Sequence, residues 1–204
     1  MTTASITDGR PGVQIAPGDH VCAFYRGDAQ RDEVLVPFLE AGILAGDRCI
    51  CVLDSHDTEQ VAKPLSLTVD VESSMRCGQL DVLPSEAAYL LDGSFSATRM
   101  LDFWEACVGV AVRNGGYTFV RAVGEMTWAL RDLPGVDHLV RYEARLNQFL
   151  PRYPQAILCL YDLERFTDGQ LLMEMLRTHP KVLMSGQLLD NPWYVEPVDD
   201  DALG

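Results

Sequence analysis

Glu125 and Trp128 stand three residues apart, after a strand-like run. If the segment 124–130 is helical, the two share a face. A carboxylate beside an indole can then hold a polar or cationic ligand. A partly buried acid also has a raised pKa, so Glu125 can serve as a general base. The alternative is a carboxylate favoured by a helix N-terminus, with Trp128 in the core. His20 can donate to a ligand or titrate near neutral pH. It can equally be a strand-edge histidine bonded to a backbone carbonyl. Asp162 closes the apolar run 157–161, where it can cap the next segment or pair with Arg121. Tyr161 can line the same mouth, as can Tyr25 and Arg26 after the first strand. Glu143, beside Tyr142, reads as a surface or ion-pair residue. His179, before Pro180, reads as a structural histidine at a helix end. His56 has no acid or thiol partner in its motif.

None of these residues forms a recognisable nucleophile set. Gly-x-Ser-x-Gly is absent, as is the dinucleotide Gly-x-Gly-x-x-Gly. The six cysteines include no Cys-x-x-Cys. Cys49 and Cys51 share a face if they lie on one strand, and core packing suits them better than metal binding. The expectation is therefore no catalytic residue, no cofactor and no metal.

The elements that must position these side chains alternate. Strands are expected at 20–25, 49–53, 79–83, 117–123 and 156–161, with a final one at 182–184. Helices are expected at 29–45, 58–63, 96–113, 137–150 and 169–178. The helix at 96–113 carries Met100, Leu101, Trp104, Cys107, Val108 and Ala111 at helical spacing, and Asn114-Gly115-Gly116 stops it. Pro37 should weaken or bend the first helix. Strands alternating with helices predict an α/β fold: three layers, with a mostly parallel sheet between helices on both faces. Ligands in such sheets bind beyond the carboxyl ends of the strands. That rule selects Tyr25 and Arg26, Asp54 and His56, Glu125 to Trp128, and Tyr161 with Asp162.

Bulk properties narrow the classes. A length of 204 residues suits one domain. The net charge of −14 opposes direct binding to a nucleic acid. No apolar run approaches the ~18–20 residues that span a bilayer, and the first residues lack a signal-peptide core. A cytoplasmic protein with reduced thiols is expected. The acids at 199–201 read as a solvated tail.

In their order, these pieces resemble a RecA/KaiC-type ATPase core. The resemblance implies that the first strand leads into a phosphate loop, and that Asp162 would hold magnesium in a working ATPase. A phosphate loop needs Gly-x-x-x-x-Gly-Lys-Ser/Thr, whose N–H groups and lysine cradle phosphate. The stretch 25–34 offers only Gly27, no lysine, and the acids Asp28, Asp32 and Glu33. Their repulsion opposes nucleotide. The expected fold is a RecA/KaiC-like core without a phosphate loop, and ATP hydrolysis is not expected.

A closer resemblance rests on Gly18-Asp19-His20-Val21-Cys22-Ala23-Phe24-Tyr25, Pro37-Phe38-Leu39-Glu40-Ala41-Gly42 and Arg121-Ala122-Val123-Gly124-Glu125-Met126-Thr127-Trp128. It continues through Arg141-Tyr142-Glu143, Cys159-Leu160-Tyr161-Asp162, His179-Pro180 and Asn191-Pro192-Trp193-Tyr194. These stretches resemble the MEDS family, the methanogen/methylotroph DcmR-type sensory domain, and His20 is similar to its N-terminal histidine. The resemblance implies a sensory module on a degenerate RecA-like fold that binds a small organic ligand. It also implies a link to regulators: DNA-binding domains, kinase-type ATPase domains or anti-sigma systems. The expected layout is a flexible lead-in at 1–17, a sensory domain at 18–197 and an acidic tail at 198–204. Ligand contacts are expected from His20, Tyr25, Arg26, Arg121, Glu125, Trp128, Tyr161 and Asp162. A regulatory protein partner is expected, with homo-oligomerisation left open. Two other readings stand beside this one. One is an enzyme using Glu125 or Asp162 as general base. The other is a ligand-free interaction protein whose strand ends are plugged by Phe24 and Trp128.

Overall fold

The computed structural model describes residues 6–7, 14–54, 59–184 and 186–197. His56 and the acids at 199–201 lie outside the described residues, as does the start expected for the second helix. A short antiparallel ribbon pairs β1 (Ile6–Thr7) with β2 (Gln14–Ile15). The main strands are β3 (His20–Tyr25), β4 (Arg48–Leu53), β5 (Leu80–Pro84), β6 (Val120–Glu125), β7 (Gln155–Asp162), β8 (Lys181–Met184) and β9 (Gln187–Asp190). They form one sheet in the order β5-β4-β6-β7-β3-β8-β9. Every pairing in it is parallel except β8 with β9.

Side-chain alternation divides the core into two layers. Val21, Ala23, Tyr25, Cys49, Cys51, Leu53, Leu158 and Leu160 face α1 (Gly27–Ala45), α2 (Glu59–Leu65) and α3 (Val71–Arg76). Cys22, Ile50, Val52, Ile157, Cys159 and Tyr161 face α4 (Ala97–Arg113), α5 (Leu139–Phe149) and α6 (Gly169–Thr178). Cys49 and Cys51 thus share a buried face, as the spacing predicts. The three-layer α/β expectation holds. Strands buried on both faces read as continuous apolar runs because helices cover each side.

The helix ends follow local chemistry. Ser96 caps α4 by accepting from the Arg99 N–H, and Asp168 caps α6 by accepting from the Gln170 N–H. Gly46, at φ +80°, closes α1 in the left-handed region. Pro37 lies inside α1, which continues through it. Four short elements, β1, β2, α3 and β9, were not expected from periodicity, the first two falling in the stretch expected as a lead-in.

The connection that matters for function is the one after β3. Tyr25 ends the strand and Gly27 begins α1, so Arg26 alone joins them. A phosphate loop has no room there. The stretch at that place is helix from Gly27 onward, two residues before the expected start at 29.

Candidate functional site

Beyond the carboxyl ends of β3 and β7 lies a cleft of ≈ 500 Å³. Its walls come from Phe24, Tyr25 and Arg26 at the end of β3, Gln30, Glu33 and Val34 on α1, and Leu163, Met184 and Gly186. The lining has an apolar half (Phe24, Val34, Leu163, Met184) and a polar half (Arg26, Gln30, Glu33). The Arg26 N–H donates to Gln30 Oε1 at 2.9 Å, which ties the connector to the helix.

Behind Tyr25 sits a closed polar network. The Tyr25 hydroxyl donates to Glu125 Oε1 at 2.9 Å. The Asp54 N–H donates to Glu125 Oε2 at 3.0 Å. Arg31 lies 4.0 Å from the same carboxylate and is 2% exposed. It also pairs with Asp28 at 3.3 Å and Asp32 at 3.0 Å. Two of the three acids expected to repel phosphate are therefore turned onto Arg31. Burial raises the Glu125 carboxyl above its usual range, against the Tyr25 bond and the Arg31 charge that pull it down. Asp54 accepts from Ser85 at 2.8 Å, Thr127 at 3.0 Å and Arg131 at 2.5 Å, which pins the end of β4. Asp162 accepts from the Gly27 N–H at 3.3 Å and the Glu164 N–H at 2.9 Å. It caps its turn and steadies the start of α1.

The other expected ligand contacts lie elsewhere. Arg121, near the amino end of β6, bonds Asp47 at 2.9 Å and the Phe38 carbonyl at 3.1 Å. Asp162, its suggested partner, is at the opposite end of the sheet. Trp128 does not share a face with Glu125. Residues 124–125 are strand, and Thr127–Leu130 is a 3₁₀ turn that sends the indole into the core. There it stacks on Tyr89 with centroids 4.7 Å apart.

His20 and Tyr161 meet in a second, wholly buried cluster beneath α5 and α6. Glu143 Oε2 lies 3.1 Å from His20 Nε2 and 3.5 Å from His179 Nε2. Cys159 Sγ lies 3.5 Å from His20 Nε2 and 3.6 Å from Glu143 Oε2. The Tyr161 hydroxyl donates to Glu143 Oε1 at 2.9 Å. The four donor atoms of His20, Glu143, Cys159 and His179 all lie within 4.8 Å of one another, a set that can hold a metal ion. Burial holds the two imidazoles neutral, His20 at about 4 and His179 at about 3, and pushes the Glu143 carboxyl up. Glu143 is 0% exposed, so of the two readings given for it, surface or ion-pair residue, the surface one is corrected. Its helix face is set by Leu139, Tyr142 and Leu146, and a carboxylate among them is the signal that sequence reading passed over.

The MEDS family, described as methanogen/methylotroph, DcmR sensory domain, matches residues 19–180. The chain belongs to the MEDS family. The family is described as a sensory one. A similar protein is the transcriptional repressor DcmR of Methylorubrum extorquens (strain DSM 6343 / CIP 106787 / DM4), 31% identical over 170 residues. The match covers 82% of this chain and 60% of that repressor's length. A KaiC-like protein from the hyperthermophilic archaeon Pyrococcus horikoshii OT3 has a similar fold. Its TM-score is 0.63 at 12% identity, covering 89% of this chain and 80% of that one. The RecA/KaiC-like architecture expected from element order is thus present, without the phosphate loop. No helix among the described residues is long and apolar enough to cross a membrane.

Proposed function

We propose that this MEDS domain is a non-catalytic sensor that binds a small organic ligand in the cleft above β3 and β7 and passes its state to a regulatory partner protein. The observation that carries the reading is the replacement of a phosphate loop by the single residue Arg26, beside a cleft of ≈ 500 Å³. A ligand with an apolar body and one polar or anionic end suits the lining. Phe24, Val34 and Leu163 would take the body, and Arg26 and Gln30 the polar end. The similarity to a transcriptional repressor supports a regulatory output. α1 carries Gln30 and Val34 on one side and the buried Arg31 on the other, so it is the element placed to report occupancy.

The enzyme reading gains no support. Glu125 is held by a hydroxyl and a backbone N–H, and Asp162 by two backbone N–H groups. Neither is aimed at the cleft as a free base.

The test is thermal stabilisation across small organic acids, alcohols, amines and halides, with Mg-ATP as a comparison. A ligand at a hundred times its Kd adds ~2.7 kcal/mol. The shift should shrink in Arg26→Ala and vanish in Val34→Trp. A shift that survives Val34→Trp, or stabilisation by Mg-ATP alone, contradicts the reading.

A further inference from the structure

The cluster beneath α5 and α6 has more electron pairs than protons to satisfy them. Asn147 fixes the first tautomer. Its Nδ2 faces the carbonyls of Thr178 at 2.8 Å and Ala144 at 3.3 Å, so its Oδ1 is the atom 3.0 Å from His20 Nδ1. An amide oxygen only accepts, so His20 carries its proton on Nδ1 and presents a lone pair at Nε2. Met175 fixes the second. Its carbonyl lies 2.7 Å from His179 Nδ1, which must donate. His179 Nε2 is then a lone pair too, buried, and among the described residues it has no hydrogen-bond partner. Both lone pairs point at Glu143 Oε2, while Oε1 is already taken by Tyr161.

A proton on Glu143 can serve one imidazole and leaves the other orphaned, at the cost of a buried unsatisfied polar atom. A metal ion satisfies all of them at once. Ligands 2.0–2.3 Å from a tetrahedral ion lie roughly 3.3–3.8 Å from one another. Four of the six spacings are 3.1, 3.5, 3.5 and 3.6 Å, and all six lie within 4.8 Å. The geometry points to a buried zinc-type site formed by His20 Nε2, Glu143 Oε2, Cys159 Sγ and His179 Nε2.

Charge agrees with the spacing. A thiolate and a carboxylate neutralise a divalent ion, and two neutral imidazoles complete the shell, so no net charge is buried. Burial raises the Cys159 thiol and the Glu143 carboxyl above their usual ranges, and both must be deprotonated to bind a metal. Binding therefore exchanges one M²⁺ for up to two protons, one from sulfur and one from oxygen. The donor set of one sulfur, two nitrogens and one oxygen suits Zn²⁺ or Co²⁺ and does not suit Mg²⁺ or Ca²⁺. Each imidazole has an outer partner on its other nitrogen, as metal-bound histidines do. With four protein ligands the shell is closed, which makes the site one that joins β3, β7, α5 and the end of α6 and leaves no open position for chemistry.

The test uses the full chain, stripped by chelation in mild denaturant and refolded with Co²⁺ or Zn²⁺. One equivalent of Co²⁺ should bind, with tetrahedral d–d bands and a thiolate-to-cobalt charge-transfer band. Cys159→Ser should abolish the charge-transfer band. A Cys77→Ser/Cys107→Ser variant, which removes the two more accessible thiols, should keep it. Asn147→Ala should weaken binding about 10–100-fold by freeing His20. X-ray absorption of zinc-loaded wild type should show one sulfur and three nitrogen or oxygen neighbours, a readout that needs no variant. Refolded wild type that binds no ion, a charge-transfer band that survives Cys159→Ser, or a metal shell without sulfur overturns the site. Because the cleft and the cluster are separate, failure here leaves the ligand-sensing reading standing.

Discussion

The Tyr25 hydroxyl donates to Glu125 Oε1 at 2.9 Å, across the end of the sheet where a phosphate loop would open it. Tyr25 also forms part of the cleft wall, so the bond joins the outer cavity to the buried network of Glu125, Arg31 and Asp54. Tyr25→Phe keeps the ring and removes the donor. Glu125 retains the Asp54 N–H and Arg31. The expected loss is ~1–3 kcal/mol in urea unfolding, the penalty of a buried acceptor left short of a partner.

Glu125 should also give stability a pH dependence of known sign. Burial raises its folded pKa above the unfolded value. Between those two values the folded state binds more protons than the unfolded state, so this group's contribution falls as pH rises. The groups facing it are Tyr25, Arg31 and Asp54. Glu125→Gln removes the titration. The difference in stability between wild type and variant should shift against wild type as pH climbs from about 4.3, the ordinary glutamate value. Chemical denaturation across that range reads it directly, and a flat difference contradicts it.

Arg121 was expected at the ligand and is found in the frame. It holds Asp47 at 2.9 Å, with both side chains buried. Arg121→Met strands that carboxylate and should cost ~3–5 kcal/mol. Ligand affinity at the cleft, measured below the lowered melting point, should stay within about twofold of wild type. A large affinity loss would return Arg121 to the site.

Gly42 makes room for this guanidinium. A Cβ there would stand 2.6 Å from Arg121 Cδ and 2.7 Å from Cys49 Sγ. Gly42→Ala should destabilise by ~1–3 kcal/mol through overpacking. Gly169→Ala meets nothing within 4 Å and serves as the comparison in the same melting experiment.

The architecture was legible because its signals are local. Apolar runs such as residues 156–161 and the helical spacing of Met100, Trp104 and Val108 each reveal an element within a short window. The mostly parallel sheet followed from the alternation of elements and from the resemblance, whereas the order of its strands was not read from the sequence. The sites were less legible because their partners are distant in sequence. His20 and Glu143 are 123 positions apart, and Cys159 and His20 are 139 apart. His179 and Glu143 looked ordinary one at a time. Only folding α5 and α6 over β3 and β7 brings them together. Arg31 was hidden differently: among Asp28, Asp32 and Glu33 it reads as one more surface charge, and its burial depends on α1 starting directly after Arg26. Of the two readings given for Trp128, the one beside Glu125 needed a helix at 124–130, and the chain makes a 3₁₀ turn there; the core reading holds.

The most direct test of the sensory account is a calorimetric titration of the wild-type protein and Val34→Trp with whichever organic compound gives the largest thermal shift. The account predicts one saturable site in wild type, none in Val34→Trp, and no binding of Mg-ATP to either. Undiminished binding to Val34→Trp, or Mg-ATP bound with the same stoichiometry, would contradict it.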